Sequence, residues 1–577
     1  MYKKISCILI LLTLSFFTIK PLFTSGFFPI HDNTQVQRVF EMKKSLSDGM
    51  FPVRWVEDLG YGYGYPIFNF YAPLAYYIGG FISLLGFDPL ISTKIMLGLG
   101  IILSGITMYL FAKEFWGRLG GLISGLLYLF APYHALNIYV RGDFAEVWAY
   151  VFIPLVFLGI YKIYCHCEER SARSNLSKQI TWIILSALSF AGVITSHNLT
   201  AMMFTPFIIL YALTLTFTPP KKNHSTFLLL ASCFLLLGFS LSAFYWLPVL
   251  SEMKYTNVLS QIGGGADFRN HFVCPLQLWE SPWAFGGSAP DCLNDGLSFR
   301  IGKIHILLAS LSLLVLFFIS KIKKNLKIQI IFFLFSLLAS IYFMLDISKP
   351  IWETIAQMEF FQYPWRFLVL SSFATSFLGG AFILLLKNSK LASTCFTVIA
   401  ILSILTINAK LFNPQYIINI RSSDFTNSNH LKWTTSKISD EYLPKKFAKP
   451  KNQNEIPTNK FAPSNNQTKI TMQENKTQQF SALISSPATS KILINLAYFP
   501  AWHVYIDNSE TKFHNLNNGL ELTIPKGTHK VTAKFIQTPI ETIANLLTLA
   551  GFLAIITYYM LNLRKVSSNQ VRGHVKA

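Results

Sequence analysis

Four stretches of this chain carry side chains able to do chemistry, and each lies beside a long apolar run. The first is the loop FFPIHDNTQVQRVFEMKKSLSDGMFPVRWVEDLGYGYGYPIFNFYAP, which begins at Phe27. In it, Asp32 followed by Gln35 reads as a helix N-cap with its capping-box partner, opening an amphipathic helix through Val36, Val39, Phe40 and Leu46 that stops at Gly49. A carboxylate at a helix mouth just above a bilayer is also positioned to meet a substrate, so the two readings hold together. His31 is either a second polar group of that site or an interfacial side chain. The second stretch is Arg141-Gly142-Asp143 with Glu146. Acids three residues apart share a helix face, and acids this close to hydrocarbon are costly unless paired or functional; Arg141 can pair with either. His197, in the turn Ser196-His197-Asn198, is the third, although a turn between two spans needs polar residues in any case. The fourth is Arg366, after Tyr363-Pro364-Trp365, where it can snorkel to any headgroup or grip one phosphate bidentately. Arg300 and Lys303 admit the same two readings with anchoring as the default, and His134 reads as a histidine satisfied within the helix bundle.

The elements that must position these groups follow from composition. The chain has 577 residues, 52% hydrophobic and 13% charged, with 51 Phe and a mean hydropathy of +0.41. No single water-soluble core absorbs that much apolar surface, so the fold class is a polytopic α-helical membrane protein. The net charge of +21 reflects cytoplasmic anchors; no basic run alternates with aromatics as a nucleic-acid surface requires. Phosphate-binding glycine loops, zinc-protease helices and serine-hydrolase elbows are lacking. Cys165, His166 and Cys167 are too few ligands for a metal, whereas Cys274 and Cys292 fall in one outer loop where a disulfide is permitted.

Charge parity orients the spans. Met1–Phe28 is a retained first helix with its N-terminus inside. Leu74–Phe87 is apolar but short, and with Pro66–Phe87 lying along the outer interface, the next spans are Leu90–Phe111 and Leu119–Val140. The basic connectors at Lys113–Arg118, Tyr164–Lys178, Lys221–Lys222, Lys321–Lys327 and Lys387–Lys390, and the tail with Arg564 and Lys565, then all fall in the cytoplasm, giving about twelve spans plus one interfacial segment. The expected organisation is a membrane domain over 1–409 with its first outer loop at 29–89, an irregular polar linker at 410–468, an outer β domain at 469–540, a last span at 541–563 and a cytoplasmic tail at 564–577. The runs KITMQ, KILINLA, WHVYID, LELTI and HKVTAKF predict the strands of that domain.

The motifs HDNTQVQRVFEMKKSLSDGMFPVRW, LGYGYGYPIFNFYAPLAYYIGGF, YVRGDFAE, FQYPWRF and YFPAWHVYID resemble bacterial membrane proteins of the family labelled 6-pyruvoyl-tetrahydropterin synthase-related, and the broader YfhO-like group. These in turn resemble the GT-C glycosyltransferases. Nothing in the chain resembles the soluble zinc-dependent pterin enzyme.

The resemblance implies a GT-C-like membrane domain in the bacterial inner membrane with its site facing outward. It implies transfer of a sugar from a polyprenyl-phosphate-linked donor, with inversion, to a glycan, lipid or protein acceptor. Membrane lipid is the remaining partner, and nucleic acid is not one. Asp32 then matches the first-loop carboxylate, as general base or as ligand to a divalent cation, Mg or Mn. Asp143 or Glu146 matches the second acidic position and orients acceptor or metal. Arg366 stabilises the departing phosphate, and His31, Arg141 and His197 line the substrate site. The alternatives are a lipid or glycan transporter or flippase, disfavoured because the acids sit at the outer ends of spans, and a non-catalytic scaffold working through its β domain.

Overall fold

The computed structural model describes residues 2–168, 172–218, 224–290, 295–318 and 324–574. Among them, ten helical segments are long and apolar enough to cross a membrane, and the chain is a multi-pass membrane protein. One of the ten, Pro89–Arg141, is 53 residues long, too long for a single crossing. Its helix breaks at Gly117, where φ is +72°, a conformation that costs glycine little. The two arms fold back on each other, so closely that a Cβ on Gly125 would lie 2.8 Å from the Gly105 carbonyl oxygen.

Leu74–Leu84 has 11 residues, about 16 Å of helix, half the ~30 Å of a hydrocarbon core. Gly79 and Gly80 let it press against Val39 and Met42 of the helix Gln35–Ser47, while Phe81, Leu84, Leu85 and Phe87 stay exposed. Lys303–Phe318 is a further apolar helix of 16 residues. Lys221, Lys222, Lys321 and Cys292 lie outside the described residues; Cys274 is disulfide-bonded.

The helices have two distinct ends. At one, Lys162 pairs with Glu114 at 2.6 Å, the Trp116 indole donates to the Phe377 carbonyl and Tyr558 donates to the Ser177 carbonyl. The other end gathers His31 and Asp32, Arg141 and Asp143, His197, the 249–297 segment, Tyr363 to Arg366 and residues 438–442 around one cavity.

Above that cavity lies a β-sandwich of nine strands. Its four-stranded sheet runs β1 (Phe461–Pro463), β4 (Ser490–Ile494), β8 (Gly519–Ile524), β7 (His514–Leu516). The five-stranded sheet runs β2 (Lys469–Lys476), β3 (Gln479–Ser486), β9 (Gly527–Phe535), β5 (Trp502–Ile506), β6 (Ser509–Glu510). All pairs are antiparallel. Period-two burial of Leu520, Leu522 and Ile524 and of Val531, Ala533 and Phe535 fills the space between the sheets. Four strands escape the sequence reading. Central β3, QFSALISS, is flanked by serines that read as turn, and β1, β6 and β7 have two or three residues each.

The first loop is the seat of this sandwich. Buried Trp55 meets Trp502 at 5.5 Å, Phe535 at 6.2 Å and Phe499 at 6.3 Å between ring centroids. Asp48 accepts from the Thr477 amide and hydroxyl, and the Tyr63 carbonyl accepts from the Ala497 amide. Below it, Arg54, 2% exposed, donates to Asn69 and Asn545 and lies 3.6 Å from Glu541, at the start of the final helix Pro539–His574.

The polar stretch 410–468 departs from the irregular linker expected of it. Short helical turns at Ser422–Thr426, His430–Thr435 and Ser436–Ile438 lay it across the first loop. Phe425, Leu431, Tyr442 and Leu443 are buried anchors, widely enough spaced to leave the composition polar. Tyr61, Tyr63 and Tyr65, which could have offered sugar-stacking faces, are consumed in this contact. Tyr61 faces Trp433 and Phe447, Tyr63 faces Phe447, and Tyr65 faces Tyr442.

Candidate functional site

The cavity has a volume of about 730 Å³. The loop after the first span and the turn Arg141 to Asp143 are joined along its floor by backbone. The His31 and Asp32 amides donate to the Val140 and Arg141 carbonyls at 3.0 and 2.9 Å, and the Gln35 amide side chain donates to the Gly142 carbonyl at 2.8 Å. Two loops 110 residues apart therefore act as one rigid surface.

Asp32 lines the cavity but is not the N-cap of the helix that follows. That helix begins at Gln35, with Thr34 at the cap position. The Asp32 carboxylate is diverted by stronger donors: Arg38 Nη1 at 2.8 Å, Gln35 Nε2 at 2.9 Å and the Thr34 hydroxyl at 2.6 Å, and a charge-assisted bond outcompetes a neutral cap. Arg38 is itself 2% exposed and stacks over Tyr71 at 4.1 Å. His31 Nε2 lies 3.0 Å from the Phe285 carbonyl, tying the first loop to the 251–302 loop.

Arg141 is the hub of the second stretch. It bonds Asp143 at 3.0 Å, Glu146 at 2.8 Å, the Tyr133 hydroxyl at 3.0 Å and the Asn137 carbonyl oxygen. Asp143 lines the cavity and caps the helix Phe144–Glu168 by accepting the Glu146 amide at 3.1 Å. Glu146, expected at the substrate, is 1% exposed and sits beneath the cavity, held by Arg141 and Asn137. The N3 position of that helix turns its side chain back toward the protein. It can position Arg141 but cannot reach a ligand.

His197 caps the helix Asn198–Leu215 through Nδ1, which accepts the Thr200 amide at 3.2 Å. Nε2 therefore carries the proton and points at Asp143, 3.6 Å away. Arg366 lies over Tyr363 at 5.3 Å and Arg141 over Trp365 at 4.8 Å, and these two rings stack at 5.0 Å. Two guanidiniums thus flank one aromatic pair. Arg366 Nε and Nη1 are buried without a hydrogen-bond acceptor among the described residues. Burial by itself would raise the Asp143 carboxyl, but His197, Arg141 and Arg366 hold it below the usual carboxylate range. Burial lowers the His197 imidazole, against the pull of Asp143 and Glu146.

Residues 68–262 match the model of a family described as "6-pyruvoyl-tetrahydropterin synthase related domain; membrane protein". The match contains Arg141, Asp143, Glu146 and His197; His31, Asp32 and Arg366 lie outside it. A Lactococcus lactis subsp. cremoris (strain MG1363) protein, named only as an uncharacterized protein, is 26% identical over 311 residues, covering 52% of this chain and 47% of its own length. The chain therefore spans about half the length of this relative.

Among solved structures, the apo Archaeoglobus fulgidus oligosaccharyltransferase is similar over 71% of this chain and 55% of its own, at 11% identity and a TM-score of 0.41. The same organism's oligosaccharyltransferase AglB, in complex with an inhibitory peptide and a dolichol-phosphate, matches over 71% and 56%, at 11% identity and 0.41. ArnT from Cupriavidus metallidurans, bound to undecaprenyl phosphate, matches over 70% and 63%, at 12% identity and 0.38.

A divalent cation held by Asp32 and Asp143 does not fit this donor set. Each carboxylate is already engaged by its own arginine, and no three His, Cys, Asp or Glu side chains among the described residues are grouped to hold a metal. His134, wedged between Tyr128 and Tyr150, lies outside the cavity. Lys303 pairs with Glu280, and Arg300 stacks on Trp283.

The cavity also contains residues that sequence reading passed over: Arg38, His271, Asp440 and Glu441. Arg38 had a signal, since Gln35, Arg38 and Glu41 form a polar stripe at helical spacing. Asp440-Glu441 stands out only as an acidic pair in a basic stretch.

The His197 shift sets a pH dependence. With the folded value below the unfolded one, the unfolded chain binds more protons between them, so stability is lost as pH falls below about 6.5. The thermal midpoint of the wild type should fall from pH 7 to pH 5. His197→Asn, which keeps a capping side chain, should flatten that dependence, and an unchanged slope would remove His197 from the account.

Proposed function

We propose that this protein is a glycosyltransferase-like enzyme of the bacterial inner membrane. It takes a sugar from a polyprenyl-phosphate-linked donor and passes it to an acceptor on the outer face. One observation carries the reading. Arg366 presents two buried donors with no acceptor among the described residues, beside Arg141, in a cavity at the ends of membrane helices. Buried charged donors left unpaired are costly, and a phosphate oxygen is the acceptor their geometry suits. The basic connectors at the opposite end support a cytoplasmic location for that end, and hence an outward-facing cavity.

In this reading Arg366 and Arg141 take up charge as the sugar–phosphate bond breaks. Asp143 and Glu146 hold Arg141 in place, and Asp32 holds Arg38 against Tyr71. Displacement at the sugar carbon in one step inverts its configuration. Arg366→Ala should weaken binding of undecaprenyl phosphate to the protein in nanodiscs by about 10- to 100-fold, the equivalent of one or two charge-assisted hydrogen bonds. Wild-type affinity in that variant would sink the reading. Passage of a labelled lipid-linked sugar across reconstituted vesicles with no new covalent product would favour a transporter instead.

A further inference from the structure

We propose that Glu441, carried by the polar stretch between the membrane helices and the β-sandwich, is the group that accepts the acceptor's proton. The inference rests on the transferase reading above.

Asp32 is the carboxylate the chain's opening points to, yet in the folded protein it is the wrong one for this task. Three donors already engage its two oxygens, one of them a guanidinium. Those bonds occupy the lone pairs with which it would meet an acceptor's proton. Glu441 lines the same cavity and makes no salt bridge among the described residues. One oxygen receives the Ser439 hydroxyl at 3.2 Å. The Tyr65 hydroxyl donates to the Ser439 carbonyl at 3.0 Å and lies 2.8 Å from Ser439 Oγ. Tyr65 belongs to the first loop and holds Ser439 in place, and the Ser439 hydroxyl fixes the Glu441 carboxylate while leaving lone pairs for a ligand.

The segment around Glu441 is held firmly enough for such a role. The Tyr61 amide donates to Ser436 Oγ at 3.0 Å and its hydroxyl to Asp440 at 3.1 Å. Tyr442 stacks on Phe70 at 5.6 Å, and the Asn257 amide donates to the Leu443 carbonyl at 2.9 Å. The charged and titratable groups facing Glu441 are Arg38 and Asp32 from the floor, Tyr65 from the first loop, and Asp440 and Tyr442 beside it. Burial raises its carboxyl above the ordinary glutamate value, with its own backbone amide, Arg38 and the Ser439 hydroxyl opposing this and Asp32 adding to it. That moves it toward neutral pH, where a general base works best.

The step balances simply. The acceptor's O–H or N–H attacks the anomeric carbon, and a new bond forms there as the bond from that carbon to the phosphate oxygen breaks. The electron pair leaves with the phosphate toward Arg366 and Arg141. The proton passes to the Glu441 carboxylate, which becomes a carboxylic acid.

The test uses the full chain in native membranes, which supply acceptors, with tritiated undecaprenyl-phosphate-linked glucose, mannose and N-acetylglucosamine as donors. Glu441→Gln should bind undecaprenyl phosphate within about twofold of wild type yet lose roughly a hundredfold or more in transfer. Glu441→Asp should retain partial transfer with a displaced acidic limb in its pH profile, the limb that wild type owes to Glu441 losing its proton. Wild-type transfer by Glu441→Gln, with transfer abolished in Arg366→Ala, overturns the assignment and leaves the transferase reading standing. Loss of undecaprenyl phosphate binding in Glu441→Gln also overturns it, because the residue would then be structural. If the wild type neither binds the lipid nor consumes any of the three donors, both readings fall.

Discussion

Replacing Arg141 with Met lowers stability by about 3–5 kcal/mol, the cost of breaking a buried ion pair by removing one partner. Arg141 is 8% exposed and Glu146 1%. Without the guanidinium, Glu146 keeps the Asn137 amide as its one side-chain donor among the described residues, and Asp143 loses its nearest cation. Lys does not substitute, because four acceptors surround a planar fork that one ammonium cannot span. The measurement is the unfolding midpoint in detergent for Arg141→Met, Glu146→Gln and the double variant. The double should recover part of the loss, since Glu146 is then no longer a buried charge without its partner, while Asp143 still lacks Arg141. A loss under about 1 kcal/mol for Arg141→Met would mean that the cluster is solvated and the cavity floor is not built as described.

Trp55→Ala has an effect of similar size through a different mechanism. Trp55 is 1% exposed and inserts between the first loop and the sandwich, edge-on to Trp502. Its removal costs about 3–5 kcal/mol in lost burial and residual cavity. The helices do not depend on this contact, so the loss should appear as release of the β-sandwich. Limited proteolysis should cut faster within 410–468, with the membrane helices protected as before. An unchanged cleavage pattern would show that other contacts hold the sandwich in place. The first loop is thus at once the floor of the cavity and the seat of the β-sandwich.

Much of the architecture is legible in the chain. Apolar runs of membrane length, separated by basic connectors, mark the helices because hydrocarbon tolerates no unpaired backbone and basic residues stay inside. Leu74–Leu84 reads as too short to cross, and in the structure it lies flat on its neighbours. His31, Asp32, Arg141, Asp143, His197 and Arg366 were all singled out by being polar where the surroundings are apolar, and all six line one cavity. Nearness to hydrocarbon is the physical reason that signal works: a polar group there is held by a partner or awaits one.

Partnership is what one dimension could not reveal. Asp32 reads as a cap because Gln35 follows at the right spacing, yet its strongest donor, Arg38, is six residues away and reaches it only after the helix forms. Glu146 reads as Asp143's equal, but Asp143 meets Arg141 Nη2 at the cavity wall while Glu146 meets Nη1 beneath it. Glu441 reads as part of an unstructured linker, since its neighbours' anchors are too sparse to register as a core. The sequence by itself determined a multi-pass membrane protein with a C-terminal β domain and the set of polar groups at one end of its helices. The tertiary structure decided which of those groups are spent on one another and which still face the cavity, because a carboxylate's chemistry depends on how many donors already hold it, and the folded backbone decides which nearby donors reach it.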